Sequence, residues 1–495
     1  MSNLSELLPA GGGGKNVEFV ATGSLGNGVT VGLKADGTVE AIGLSSTTYT
    51  ESIPASSGEA SNGTDGDFSS VAFDPSNPTK FVIAYAGSGN YGTAVVGTIS
   101  GNTMSFGTPV VFKSAGVTDT AVAFDPNTSG SCVIAYGDTG VSVLGTVSGT
   151  SISFGSNVTF NNATTLAISV TFDPNTSGKF VVGYHDNGAS GYGTTIVGTI
   201  SGSTISYGSE YRFNTTGTSE SIIAFDPNTA GRFLTVFQDQ GNSYFGTARV
   251  GTVTGTSISF GADVVYSTGV SGAQSLAFDP VNAGKFVVCY RRQNNSNYGT
   301  AVVGTVSGTS TSFGSEYVFN TAETQFIATA FETRTGNKFV VSYQDTGNSN
   351  KATAIVGTVS GTAITFGSES ILSTQGSYEH SIAFSPAVGG KFVAVFRDQA
   401  SDFHAWASLG KVGYVDTVTN LTATNFLGIT DAAITSGASG SVTIKGGLKS
   451  ELSSLTPNSI YYVQGNGSIS TASTAPAVRI GKALSSTTLN LEFSS

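Results

Sequence analysis

One phrase recurs along this chain at nearly constant spacing, and that periodicity sharply limits the folds open to it. The form A-F-D-P places its aromatic at Phe73, Phe124, Phe172, Phe225, Phe278, Phe331 and Phe384, at intervals of 51, 48, 53, 53, 53 and 53 residues. Each unit repeats one order, seen in the fifth as SLAFDP, KFVVCY, YGTAVVGTV, a Ser-Gly turn and STSFGSEYVF. These read as four short strands. The first two alternate apolar and polar residues across a D-P-x-N-x-x-G connection, where proline fixes φ and the Asp can cap its own turn. The last two are joined by turns such as Ser148-Gly149, Ser307-Gly308 and Ser360-Gly361, which suit positive φ. A four-stranded sheet cannot bury both faces alone, so neighbouring copies must stack, and a ring leaves only short edges. The expectation is an all-β chain whose centre is a seven-bladed β-propeller, with the fourth-strand aromatics Phe106, Phe154, Tyr207, Phe260, Phe313 and Phe366 packed between blades.

The seventh copy tests this count. After HSIAFSP, KFVAVF and FHAWASLGK it runs into YVDTVTNLTATNF with no fourth strand. Upstream of the first copy, residues 46–50 match the missing segment, with Tyr49 at the aromatic position, so an N-terminal strand is predicted to close blade seven. The ring then spans about residues 45–411. The flanks, 17–44 and 412–495, read as short hairpins with D-G and N-G turns. A ring begins and ends at one blade, so the flanks are expected to form a single split β-domain, preceded by a flexible polar arm at 1–16.

Composition excludes several classes. With 66 Gly among 495 residues and only 11% charged residues, long helices are nearly ruled out, while 31 Phe and 18 Tyr supply a core. The net charge of -11 and the absence of a basic cluster argue against nucleic acid as a partner. No run of 18 apolar residues occurs and the N-terminus has no signal-peptide pattern, so no membrane insertion is expected, and synthesis in a cytoplasm is. Cys132 and Cys289 lie in equivalent strands of different copies and read as unpaired core residues.

The loops joining strands two and three vary from copy to copy: AGSGNY, GDTGV, HDNGASGY, QDQGNSYF, RRQNNSNY, QDTGNSN and RDQASDF. The opposite face, built of FDP and Ser-Gly turns, hardly varies. Variation marks the first face as the candidate binding surface, and its amides, carboxylates and rings suit a glycan. Asp138, Asp186, Asp239, Asp345 and Asp398 recur at one position and read as turn caps. The departures are the better ligand-binding candidates: His185, Gln238, Arg291, Arg292, Gln344 and Arg397, with Tyr244 and Tyr298 as stacking rings.

Catalysis would need a local constellation that breaks the repeat. Asp119, Glu220, Glu323 and Glu379 fall in the connections between blades, where two carboxylates could flank a sugar. His380, beside Glu379, and His404 belong to the same copy. No nucleophile-elbow, zinc-protease, Walker or Rossmann pattern occurs in a supporting context. The run DTGNSN at 345–350 lacks the distal Glu of a calcium loop. Neither a cofactor nor a metal is expected, and the reading is of a binding protein rather than an enzyme.

The flanking segments VTVGLKADGTV, FLGITDAAITSG, LTPNSIYYV, GSIST and RIGKALSSTTL resemble the small β modules of marine tailed-phage virion proteins. That resemblance covers roughly a fifth of the chain and implies a head-decoration or tail-fibre domain that attaches to other virion proteins or trimerises. It implies a virion location and a propeller presented to a host-surface glycan or protein. Two alternatives stand beside it: a spike glycoside hydrolase or depolymerase, and a cell-surface adhesin.

Overall fold

The computed structural model describes residues 15–61, 63, 65–386, 389–399, 403–473 and 476–492. Among these the chain is all β, with short 3-10 turns and no α-helix. The predicted arm lies almost wholly outside the described residues. The chain divides into two compact units, Thr50–Tyr414 and Met1–Tyr49 with Val415–Ser495.

Within Thr50–Tyr414 each repeat is an antiparallel sheet. In the fifth, the end of Val264–Phe278 pairs with Lys285–Arg292 (Phe278 opposite Phe286), which pairs with Tyr298–Ser307 (Arg292 opposite Tyr298). That strand turns at Gly308 into Ser310–Phe331, with Ser307 opposite Ser310 and Val302 opposite Glu316. The long strands are the connectors: Thr204–Phe225 and Ser310–Phe331 leave one sheet as its outer edge and enter the next as its inner strand.

Inner strands alternate buried and half-buried residues, as in Thr120–Phe124. The second strand does not alternate as expected. Ser131–Tyr136 is buried throughout, because neighbouring sheets cover both of its faces. The fourth-strand aromatics fill the space between sheets. Phe313 sits 5.6 Å from Phe286 of its own repeat and 5.6 Å from Tyr266 of the preceding one.

Polar ties join successive repeats. The FDP aspartates are almost fully buried; Asp125 accepts from Asn127 N (2.9 Å) in its own turn and from Gly178 N (3.1 Å) in the next repeat, and Asp173 does the same with Asn175 and Gly231. On the inner strands, Ser169 Oγ accepts from Ile223 N (3.3 Å) and Ser275 Oγ from Thr329 N (2.8 Å). The same bond links the last repeat to the first, from Val71 N to Ser381 Oγ at 3.1 Å. One core cluster accordingly joins Val71, Phe73 and Phe81 to Val393, Val395 and Leu409.

The strand that completes the last repeat differs from the expected one. Ser52–Glu59 pairs with His404–Lys411, placing Ser57 opposite Ser408, whereas Leu44–Tyr49 pairs with Tyr414–Thr419. The aromatic match at Tyr49 misled because the strand that fits, SIPASSGE, carries small and polar residues and no aromatic.

The smaller unit mixes both flanks in one five-stranded sheet, ordered Asn16–Val20, Ser439–Ile444, Phe426–Thr430, Thr30–Leu33 and Val39–Ala41. Its second sheet, from Leu448–Lys449 to Leu489–Leu491, is drawn from the C-terminal flank alone.

One contact recurs in the third strands. A Cβ added to Gly304 would lie 2.0 Å from Cζ of Phe286, and Gly97, Gly198, Gly251, Gly357 and Gly410 stand likewise against the Phe of their own second strand. Gly304→Ala should therefore destabilise the protein by about 1–3 kcal/mol through overpacking, while Ser307→Ala on the exposed turn shifts it by about 0.5 kcal/mol or less. Urea midpoints would test this; equal midpoints for the two variants would refute the packing argument.

Candidate functional site

The turns after the second strands come first, since most candidate ligand residues lie there. Asp186, Asp239 and Asp345 each accept from the backbone N–H two residues on, at Gly188, Gly241 and Gly347, all at 3.0 Å. Each also accepts from an Asn of the incoming connector, Asn161, Asn214 or Asn320, at 3.2 Å. Asp398 accepts from Ser373 Oγ at 2.6 Å. These are the turn caps predicted; the Asp138 side chain lies outside the described residues. The carboxylate of Asp345 is thereby engaged in its own turn, and among the described residues no cluster of His, Cys, Asp or Glu could hold a metal.

The candidate ligand residues do not form one surface. Gln238 and Gln344 are buried, and each donates to a backbone carbonyl of the next repeat, Ser271 and Ser377, so they are inter-sheet ties rather than loop-face donors. Arg292 is ion-paired with Glu316, which also accepts from Tyr290. Arg397 is paired with Asp67 at 2.5 Å and lies over the Phe403 ring at 4.4 Å. His185 is half-buried, and desolvation lowers its pKa. Tyr244 is exposed at a turn tip, as Tyr91 is, and Tyr298 is half-buried. Arg291 alone of the arginines at this position lacks an ion-pair partner among the described residues, and its Nε is buried without a hydrogen bond.

Arg291 belongs to a second constellation, at the entry to the inner strands. In every repeat but the second the inner strand bulges about five residues before the FDP aromatic, and Phe68, Ala167, Ala273, Phe326 and Glu379 all adopt φ of 48–54° there. A bulge re-aims the side chain it carries. In the second, fourth and seventh repeats this position is acidic: Asp119, Glu220 and Glu379. These carboxylates bridge repeats. Asp119 accepts from Ile168 N at 2.9 Å, Glu379 accepts from Phe68 N, and Glu220 faces the N–H groups of Ala273 and Gln274. Burial pushes all three pKa values up, that of Asp119 to about 6, against the opposing effect of those N–H groups.

Glu323 accepts from Gln325 Nε2 at 3.2 Å. His380 sits between Ser342 Oγ (2.7 Å) and Ser377 Oγ (2.9 Å), stacked on Phe396, and burial lowers its pKa to about 3, so it is neutral. His404 pairs instead with Glu59 at 3.0 Å. The two histidines thus have separate partners.

A cavity of about 350 Å³ opens among these inner-strand ends, walled by Glu220, Ser221, Arg291, Gln325, Phe326 and Glu379 together with Ala167, Ala273 and His380. Three of these side chains carry a buried polar atom without a hydrogen-bond partner: Glu220 Oε2, Ser221 Oγ and Arg291 Nε. Sequence reasoning named Glu220, Glu379, His380 and Arg291 but missed Ser221, Gln325, Phe326 and Ala273. The available signal was the variation at one inner-strand position among repeats that otherwise agree.

No family model matches the chain, and no curated protein does. Solved structures do share its fold. The BP39L lectin from Burkholderia pseudomallei superposes with a TM-score of 0.54 at 8% identity, covering 75% of this chain and 99% of the lectin. The mitotic checkpoint complex gives a TM-score of 0.51 at 10% identity, over 74% of this chain and 93% of that one. At such identities the likeness is one of architecture: this is an all-β protein of the β-propeller type.

Asp119 supplies a test of the bridging role. Its folded pKa stands above the ordinary 3.8, so its contribution to stability is fully present below that value and is lost as the pH rises through about 6. Asp119→Asn keeps an acceptor for Ile168 and should flatten this part of the stability curve. Thermal melts from acid to neutral pH would show it, and a variant curve parallel to the wild type would contradict the assignment.

Proposed function

We propose that the larger unit is a seven-bladed propeller inserted between the two segments of the smaller unit, and that the protein is a non-enzymatic attachment protein. The seven-blade reading is supported by the matching Ser-to-backbone bonds within the array and between its last and first repeats. The insertion is supported by the sheet in which strands from both flanks pair, such as Val17 opposite Val442 and Val31 opposite Gly428.

The observation that carries the binding reading is how the carboxylates are engaged. A glycosidase needs two carboxyl groups free to flank a bond; here Asp119 and Glu379 accept from neighbouring repeats and the loop aspartates cap turns, so that of Asp119, Glu220 and Glu379 only Glu220 keeps a buried oxygen without a partner. What faces solvent on the variable loops is aromatic or amide, including Tyr91, Tyr244 and Gln293. Such groups bind hydroxylated surfaces without transforming them. The smaller unit anchors the protein to a phage particle alongside other virion proteins, as its resemblance to virion modules implies. Display in many copies, as trimers or on a lattice, then raises weak glycan binding to useful avidity.

Mass spectrometry of purified particles should find the chain in stoichiometric amount, and purified protein should adhere to host cells in a periodate-sensitive manner. Absence from particles would end the virion assignment. Release of reducing ends from host polysaccharide, abolished by Glu379→Gln, would replace attachment with hydrolysis.

A further inference from the structure

The pseudo-repeat provides an internal control for the cavity, because equivalent positions at another junction are filled. Where the last repeat meets the first, Arg397 is neutralised by Asp67 and covered by Phe403, and the bulge position of the first repeat carries Phe68. At the junction of the fifth and sixth repeats the corresponding residues are Arg291, Gln325 in place of Asp67, and Phe326 in place of Phe68, while Ala273 stands where the last repeat has Glu379. Gln325 turns to Glu323 instead. Removing the acid leaves Arg291 without an ion pair among the described residues, and alanine in place of the last repeat's glutamate leaves space beside it. Glu220 of the preceding repeat lies close enough for the Arg291 charge to oppose the rise in its pKa.

Unpaired buried polar groups are destabilising unless something satisfies them. Glu220, Ser221 and Arg291 line one cavity, each carrying a buried polar atom without a hydrogen bond, and the three side chains offer an acceptor, a group that can do either, and a donor. That combination matches adjacent hydroxyls, one donating to the carboxylate and its neighbour accepting from the guanidinium. Phe326 adds a flat apolar wall, continued by Tyr378 at 5.8 Å and then Phe403 at 6.3 Å. A pyranose ring has this character, with hydroxyls at its rim and an apolar C–H face. At about 350 Å³ the cavity stands near the lower end of the roughly 300–1,000 Å³ spanned by small-molecule sites, enough for a terminal sugar but not for a polysaccharide chain. Glu379 on the same wall opposes an anionic ligand.

We propose that this cavity is a binding site for a neutral pyranose, with Glu220 and Arg291 holding adjacent hydroxyls and Phe326 stacking on the ring. The site deepens the attachment reading, and rests on it only in that the sugar is the terminal residue of a surface glycan. A free monosaccharide offers the same groups, so the source is decided by comparing the two.

Substitutions are suggested by the repeat itself. Phenylalanine already occupies the bulge position in the first and sixth repeats, and alanine does so in the third and fifth, all at positive φ. Ala273→Phe should therefore fold and plug the cavity, and Phe326→Ala should fold and remove the stacking wall. With the full chain, saturation-transfer NMR and titration calorimetry against methyl glycosides of neutral, acidic and amino sugars should detect at least one neutral pyranoside at about millimolar affinity. Ala273→Phe should abolish that signal, and Phe326→Ala and Glu220→Gln should each weaken it about tenfold. Ser307→Ala, on an exposed Ser-Gly turn, should leave it unchanged. If Ala273→Phe melts early, Glu220→Gln and Phe326→Ala carry the test. The proposal fails if no neutral pyranoside binds, if acidic or amino glycosides bind in preference, or if Ala273→Phe binds as the wild type does. Cell adhesion that survives Ala273→Phe but not Tyr244→Ala would leave attachment standing and move its site to the loops.

Discussion

A phenylalanine ring pressed against a bare glycine backbone sets the geometry on which this array depends. With Gly304 over Phe286, and five further pairs like it, the second and third strands of a sheet are free of side-chain bulk at one point, and the ring takes that space. The fourth-strand aromatic of the same repeat then meets this ring edge-on, as Phe313 meets Phe286, while also reaching the preceding repeat. Intersheet spacing is thus fixed by aromatic faces rather than by long aliphatic side chains. The second strands can be buried on both sides because each neighbouring sheet arrives at the same distance.

How much of this is legible in the sequence depends on how local the determinant is. Strand order and turns were legible because hairpin glycines and the FDP turn act within a few residues, and the Asp186, Asp239 and Asp345 caps follow from the same local chemistry. The closing strand was not. Its partner, His404–Lys411, lies at the far end of the array, and Ser52–Glu59 has no aromatic to reveal the pairing. Gln238 and Gln344 looked like loop donors for a similar reason: their acceptors, the carbonyls of Ser271 and Ser377, lie in the next repeat.

The candidate site is legible only as a departure. Repeats that agree almost everywhere diverge at the bulge before the FDP strand, where Phe, Asp, Ala and Glu all occur. Sequence alone marks Glu220 and Glu379 as carboxylates between blades that could flank a sugar. Structure shows that their register, one repeat ahead of a strained backbone, makes them acceptors for its N–H groups first. Function is then left to whatever those bonds do not satisfy, chiefly one oxygen of Glu220 and the Nε of Arg291.

The pairing of Ser52–Glu59 with His404–Lys411 also has a consequence for biosynthesis. The first of these strands leaves the ribosome before any repeat exists, and its partner is made only after nearly the whole array. At about 5–20 residues per second the interval is on the order of tens of seconds. Throughout it the nascent array presents an unpaired strand edge at Trp406's eventual neighbour and an uncovered sheet face on the first repeat, the combination that invites pairing with another chain. Small and polar residues in SIPASSGE make that waiting strand a poor template for aggregation, so the feature that hid it from an aromatic-based search also protects the growing chain.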